Sequence, residues 1–153
     1  MTIELDEKLC TKYPKIFINR QGDMRTTAMC WGFECGDGWY NIIDRLCSYL
    51  QFHTDHNNRP LQDSNIYPYP QIIASQIKEK YGGLRFYVES ATDRQYDVIS
   101  FVETLSEHIC EQCGSMNHIG NTQGWIRTLC QNCAIEYPDW KEYGAKEKLN
   151  GPS

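Results

Sequence analysis

The chain has 153 residues, 41% of them hydrophobic, and a formal charge of −5. That length predicts one domain, or one domain with a small appended module, and a core that hides roughly two-thirds of the unfolded surface. No apolar run approaches the ~20 residues of a membrane span, and the charged start Met1–Lys8 lacks the apolar stretch of a signal peptide. An acidic balance opposes phosphate-driven nucleic-acid binding unless basic residues gather in one patch. The expectation is a cytoplasmic protein with no membrane partner.

Leu5, Leu9 and Tyr13 recur on one helical face, and Pro14 ends the run, so residues 3–13 read as a short amphipathic helix. Residues 25–38 are glycine-rich, with Trp31 and Phe33 between, and read as a loop or short strand folded against the body. Asp37 is placed to cap the helix that follows. Trp39, Ile42, Ile43, Leu46 and Leu50 form one apolar stripe, which predicts a core helix from Trp39 to about Phe52. Its opposite face carries Asn41, Asp44, Arg45 and Ser48. Residues 53–70 hold two histidines and three prolines with little periodicity, and read as a long surface loop.

Gln71 to Ser90 predicts a β-hairpin. Leu84, Phe86 and Val88 alternate with Arg85, Tyr87 and Glu89, as in a half-buried strand, and Tyr81-Gly82-Gly83 supplies the positive φ of a tight connection. A helix competes for residues 71–80, because Ile73 and Ile77 are also four apart. Thr92-Asp-Arg-Gln95 matches a capping box and opens a helix with Tyr96, Ile99, Val102, Leu105 and Ile109 on its apolar face.

That helix leads into Cys110-Glu-Gln-Cys113-Gly114, and Cys130-Gln-Asn-Cys133 follows sixteen residues later. Two residues between cysteines let a tight turn aim both sulfurs at one metal ~2.3 Å away, and four thiolates close a tetrahedron with no open position. The pattern predicts one structural Zn²⁺ held by Cys110, Cys113, Cys130 and Cys133. Two disulfides, a redox pair and an iron–sulfur centre compete for the same residues. With four bound thiolates and Zn²⁺ the net charge moves to about −7. A strand over 125–129 and a helix from Ala134 would complete a treble-clef arrangement, with a short final helix over 139–149. Cys10, Cys30, Cys35 and Cys47 read as plain thiols in a reducing compartment. A second metal site from Cys30, Cys35, His53 and His56 is a weaker alternative. The resulting fold class is α+β: helices packed on a β-hairpin over residues 1–109, with a treble-clef-like zinc module over 110–153 joined to it.

Four motifs occur in order: Tyr13-Pro-Lys-Ile-Phe17, Met29-Cys-Trp-Gly-Phe-Glu-Cys-Gly-Asp-Gly-Trp39, Gln76-Ile-Lys-Glu-Lys-Tyr-Gly-Gly-Leu-Arg-Phe-Tyr87, and the Cys-x-x-Cys pairs with Gly124-Trp-Ile-Arg-Thr-Leu-Cys130. Together they span nearly the whole chain and resemble a family of small proteins common in phages and prophages. The resemblance implies a phage-type cytoplasmic protein with a C-terminal zinc knuckle. It implies no activity and no catalytic residue.

The residues themselves point away from an enzyme. No Gly-x-Gly-x-x-Gly or phosphate-binding Gly-x4-Gly-Lys-Ser/Thr is present, and the His-x-Glu and Pro-Cys-x-x-Cys of zinc deaminases are missing. Glu34 and Asp37 could act as an acid/base pair, but capping and solvation account for both, and His108 beside Cys110 reads as a surface histidine. Two binding functions remain. A non-enzymatic adaptor or inhibitor would bind a host or phage protein through exposed aromatics, with Tyr40, Tyr67, Tyr69, Trp125 and Trp140 as candidates. A nucleic-acid accessory protein would instead use the hairpin 76–94, whose Lys78, Lys80, Arg85 and Arg94 interleave with Tyr81, Phe86 and Tyr87. A ligand pocket beside Trp31, Trp39 and Arg85 is a third reading. The candidate binding residues are therefore Trp31, Trp39, Lys78, Lys80, Arg85 and Tyr87.

Overall fold

A computed structural model describes residues 1–59 and 69–144. Among them are three helices, α1 (Ile3–Lys12), α2 (Tyr40–Asn58) and α3 (Asp93–Ser106). Six short strands form two sheets: β1 (Phe33–Glu34), β2 (Ala74–Lys80) and β3 (Gly83–Val88) in one, β4 (Ile119–Asn121), β5 (Thr128–Cys130) and β6 (Lys141–Glu142) in the other. The chain is α+β, as the sequence predicts.

The hairpin is a strand pair and the competing helix is absent. β2 and β3 run antiparallel with Ile77 opposite Phe86 and Lys80 opposite Gly83. Only Tyr81 and Gly82 lie in the turn, with φ of 54° and 79°. Two consecutive positive φ values match the twist of antiparallel strands. Gly83, expected in the connection, is the first residue of β3. β1 joins β2 in parallel, with Phe33 beside Ile77. The inner face of this sheet (Phe33, Ala74, Ile77, Leu84, Phe86) packs on Leu9, Ile43, Leu46, Leu50 and Ile99 from the helices. Fully burying each such side chain contributes about 1.5–3 kcal/mol.

α3 begins with the predicted capping box, in which Thr92 accepts from Gln95 N and Gln95 accepts from Thr92 N. α3 also lies along the free edge of β3. Ser106 Oγ accepts from Leu84 N at 2.8 Å, and Glu103 Oε1 accepts from Phe86 N at 2.7 Å.

Three expectations need correction. Asp37 does not cap α2; it lies in a 3₁₀ turn, Asp37–Trp39, and its carboxylate accepts from Thr2 N at 2.7 Å. α2 runs to Asn58, so the first residues of the expected loop 53–70 are helical, and residues 60–68 of that loop lie outside the described residues. Asp44, expected on the solvent face, is buried. It accepts from Lys12 Nζ at 2.6 Å and the Tyr13 hydroxyl at 2.9 Å, which ties α1 to α2.

Burial works to raise the Asp44 pKa, but the Lys12 and Tyr13 hydrogen bonds outweigh it and hold the carboxyl below its ordinary range. A carboxylate held low in the fold stabilises it above the unfolded value, and that contribution is lost as pH falls through the folded value. Asp44→Asn should therefore lower the urea midpoint at pH 7. The gap to the parent should narrow below about pH 4; a gap independent of pH would mean the charge plays no part.

Candidate metal centre

Each Cys-x-x-Cys pair is held by a backbone turn that its own sequence dictates. In the first, Gly114 N donates to Cys110 O at 2.8 Å and Cys110 N to Ser115 O at 2.8 Å. Gly114 takes φ 79°, a conformation glycine adopts without penalty. In the second, Ala134 N donates to Cys130 O at 3.0 Å. The strands bring the two turns together. β4 follows the first turn, β5 runs into the second, and their antiparallel register sets Ile119 opposite Cys130. Gln131 N donates to His118 O at 2.9 Å just beyond it.

The result is a cluster of four sulfurs, all within 4.8 Å of one another. Cys113 Sγ and Cys130 Sγ are 3.7 Å apart. A tetrahedron of thiolates ~2.3 Å from one ion has an edge of about 3.8 Å. A disulfide needs ~2.05 Å. The donor set and spacing therefore fit a structural metal such as zinc. Burial raises the cost of the thiolate at Cys113, Cys130 and Cys133. Backbone N–H from Cys133 and the neighbouring thiols overcome it at Cys130, whose pKa falls to about 7, while burial and the other thiols push Cys133 up. Four like groups cannot all ionise side by side without a cation, so metal uptake would release protons.

The second site is not assembled. Among the described residues the cysteine quartet is the sole group of His, Cys, Asp or Glu side chains able to converge on an ion. Cys30 Sγ donates to Thr27 O, and His53 and His56 pack around Phe52 on α2. Burial, with Asp6 adding for Cys10, pushes the Cys10 and Cys35 thiols to about 12. Burial raises Cys47 as well. These remain protonated thiols, as expected of plain cysteines.

The treble-clef helix does not follow the second pair. Residues 131–136 form turns, and β6 over Lys141–Glu142 adds to the edge of β4. The final helix expected over 139–149 is a turn and strand as far as Gly144; its remainder lies outside the described residues. His108 stays on the surface, its ring edge-on to Tyr143.

The cluster docks on the body through glycines whose role the sequence did not announce. Gly38 N donates to Glu111 O at 2.8 Å, Gly36 N to Glu111 Oε1 at 2.9 Å, and the Trp39 indole to Ile109 O at 2.9 Å. A Cβ on Gly38 would sit 2.5 Å from Gly114 N and closer still to the Cys110 carbonyl. The hairpin turn makes the second contact, where Thr128 Oγ1 donates to Gly82 O at 2.6 Å. Spaced glycines in Cys35-Gly-Asp-Gly-Trp39 were the available signal: backbone must meet backbone there.

Two clefts border this junction. One, of about 630 Å³, is lined by Glu34, Glu79, Glu111, Arg127, Tyr137 and Asp139 among others; the second, of about 370 Å³, by Lys78, Lys80, Tyr81 and Ile126. Trp125 lines both and is 80% exposed.

Of the candidate binding residues, Lys78, Lys80, Arg85 and Tyr87 share the outer face of the hairpin, and the two tryptophans stand apart from them. Trp39 is fully buried and belongs to the core, so it is no ligand contact. Trp31 is exposed elsewhere, and Arg85 donates to Leu84 O, so the pocket expected beside Trp31, Trp39 and Arg85 is not formed among the described residues. Lys78 lies over the Tyr87 ring and Lys80 over Tyr81, at 5.8 and 5.5 Å. Lys78 and Arg85 pair across the strands, and Glu34 flanks Lys78 from β1. Phe86 points into the core. Glu34 accepts from Gln76, and Asp37 accepts from Thr2 N. Of the expected surface aromatics, Tyr40, Tyr69 and Trp140 are half-buried and Tyr67 lies outside the described residues.

No family model matches the chain, and neither a curated protein nor a solved structure matches it. Fold and site together define an α+β protein with a four-cysteine cluster compatible with a structural metal. Among the described residues no helix is long and apolar enough to cross a membrane.

Proposed function

We propose that the cluster holds one Zn²⁺ and that the protein is a non-enzymatic, phage-type cytoplasmic adaptor or inhibitor that binds a protein partner. Zinc is favoured because four thiolates at this spacing suit a soft, tetrahedral, non-redox ion. Native mass spectrometry should show one zinc per chain, lost progressively as pH falls because protons compete for the thiolates. Two ions per chain would overturn the single site.

One observation carries the partner-binding reading. Trp125 stands exposed between two clefts on a loop that is tied down at several points. Thr122 Oγ1 accepts from Arg127 N at 2.8 Å, and Asp139 Oδ2 accepts from Gln123 N and Gly124 N, both at 2.9 Å. A large aromatic presented on a fixed loop loses little freedom on binding, and such residues dominate binding energy at interfaces. The nucleic-acid reading keeps one supporting feature, because Lys78, Lys80 and Tyr87 are on the outer side of the hairpin. One neighbour weakens it: Glu34 on β1 flanks Lys78 on the same face.

The tagged, zinc-loaded protein should retain a stoichiometric protein from host lysate after nuclease treatment. Trp125→Ala should lose it, and Lys80→Glu with Arg85→Glu should not. Recovery of nucleic acid instead, lost with the charge reversals or with added salt, would reverse the order of the two readings.

A further inference from the structure

The larger cleft beside Trp125 carries charge that its own residues do not balance. Glu34, Glu79, Glu111 and Asp139 line it, and among its described lining residues Arg127 is the sole cation. Each carboxylate already accepts one or more hydrogen bonds from the protein. Glu79 accepts from Gly82 N at 2.6 Å, Asp139 from the two amides of the Trp125 loop, Glu34 from Gln76, and Glu111 from Gly36 N.

Glu111 is the decisive residue. It is 6% exposed, and its Oε2 is buried with no hydrogen-bond partner among the described residues. Arg127 Nε forms an ion pair with it at 3.6 Å, too long for a hydrogen bond. The same guanidinium donates through Nη1 to the Tyr137 hydroxyl at 2.6 Å and lies over that ring, so it is shared between the two. A buried carboxylate oxygen with no donor within hydrogen-bond reach keeps part of its desolvation cost despite a nearby cation, and native proteins rarely leave one so.

A small metal ion does not answer the deficit. Among the described residues no group of carboxylates converges tightly enough to share one; the cysteines alone do. The cleft has room for a side chain, at about 630 Å³, and its charges are spread along the wall. What fits is a cation at the end of an apolar stem. On the other side of Trp125, Tyr81 and Ile126 line a smaller groove of about 370 Å³ that suits an apolar neighbour.

Resting on the partner-binding reading above, we infer that this cleft receives a basic side chain, arginine before lysine, from an extended segment of the partner, and that an adjacent apolar side chain of the same segment fills the groove beyond Trp125. Arginine is preferred because its planar fork reaches two carboxylates at once and stacks on an indole, whereas an ammonium is a compact point charge. The indole divides the two compartments, so one extended segment can address both.

The test uses the zinc-loaded full chain and a displayed library of random twelve-residue peptides, selected at physiological salt. Enriched peptides are synthesised and their Kd measured calorimetrically. The expected winners place arginine or lysine one or two positions from a large apolar residue. Replacing that arginine by citrulline, its neutral isostere, should weaken binding about tenfold or more. Glu111→Gln should do the same, and Glu34→Gln, at an exposed position that leaves the fold intact, about threefold with a shallower salt slope. Winners without a basic residue, indifferent to both glutamate variants but lost with Trp125→Ala, would overturn this inference and leave the partner-binding reading standing. No enrichment, or winners indifferent to Trp125→Ala, would overturn both.

Discussion

Cys113→Ser should lose the metal and unfold the segment from 110 to 140. Cys113 is the suitable probe because it is exposed, whereas Cys110 and Cys130 are buried. Replacing it opens no cavity, so any loss of stability reports on the ligand itself. A structural zinc site contributes roughly 10–16 kcal/mol of apparent binding free energy to folding at neutral pH. The small second core, Ile119, Leu129 and Ala134 around Cys110 and Cys130, is too slight to hold without it. The expected result is no bound zinc and loss of amide protection in β4 and β5, with a lower melting temperature. The parent treated with chelator should behave alike. The body should weaken too, since Ile109 O and Glu111 O hold Trp39 and Gly38. Normal metal content with normal melting would sink the zinc assignment.

Gly38→Ala should destabilise the chain by about 3 kcal/mol, at the upper end for a forced overpacking. The added methyl would meet the Cys110 carbonyl, Glu111 O and Gly114 N, all backbone atoms of the first cysteine turn. Backbone cannot swing aside as the end of a side chain can. Either the Gly38 N to Glu111 O hydrogen bond breaks or the cysteine turn shifts, and the second outcome would weaken metal binding as well. Gly124→Ala is the control. Its Cβ would meet only Asp139 Oδ2 at 3.6 Å, and its effect should stay within about 0.5 kcal/mol. Equal urea midpoints for the two variants would show that the close approach at Gly38 does not matter for stability.

The elements with a clean period were legible in the sequence. The stripe of α2, the alternation of β3, the capping box of α3 and the spacing of the cysteines each express one local rule, and each is present. The failures share a cause, which is tertiary satisfaction of polar groups. α2 runs past Phe52, where Thr54, one turn beyond Leu50, is buried and accepts from Gln95 Nε2 of α3 at 3.4 Å. Counting only apolar residues ended the stripe too soon. Asp44 looked solvated until Lys12 and Tyr13 arrived from another helix. Trp39 looked like a binding aromatic, yet its indole N–H finds Ile109 O seventy residues away and the ring enters the core. The helix expected from Ala134 is a run of turns, beyond which β6 adds to the edge of β4. At the candidate site the cysteines were readable from spacing alone. Glu111 was not, because only the fold shows its carboxylate oxygen buried without a hydrogen-bond donor among the described residues.

The lid that α3 places over the edge of β3 restricts how this protein can meet others. An open sheet margin recruits strands, from a second copy of the same chain or from an extended peptide, through its spare amides. Here the outward amides of Leu84 and Phe86 are already spent on Ser106 and Glu103. Strand addition and edge-to-edge aggregation are closed off along that margin. Anything meeting the molecule along β3 would therefore meet side chains, where sequence preference can be written, and not spare backbone amides, which read almost none.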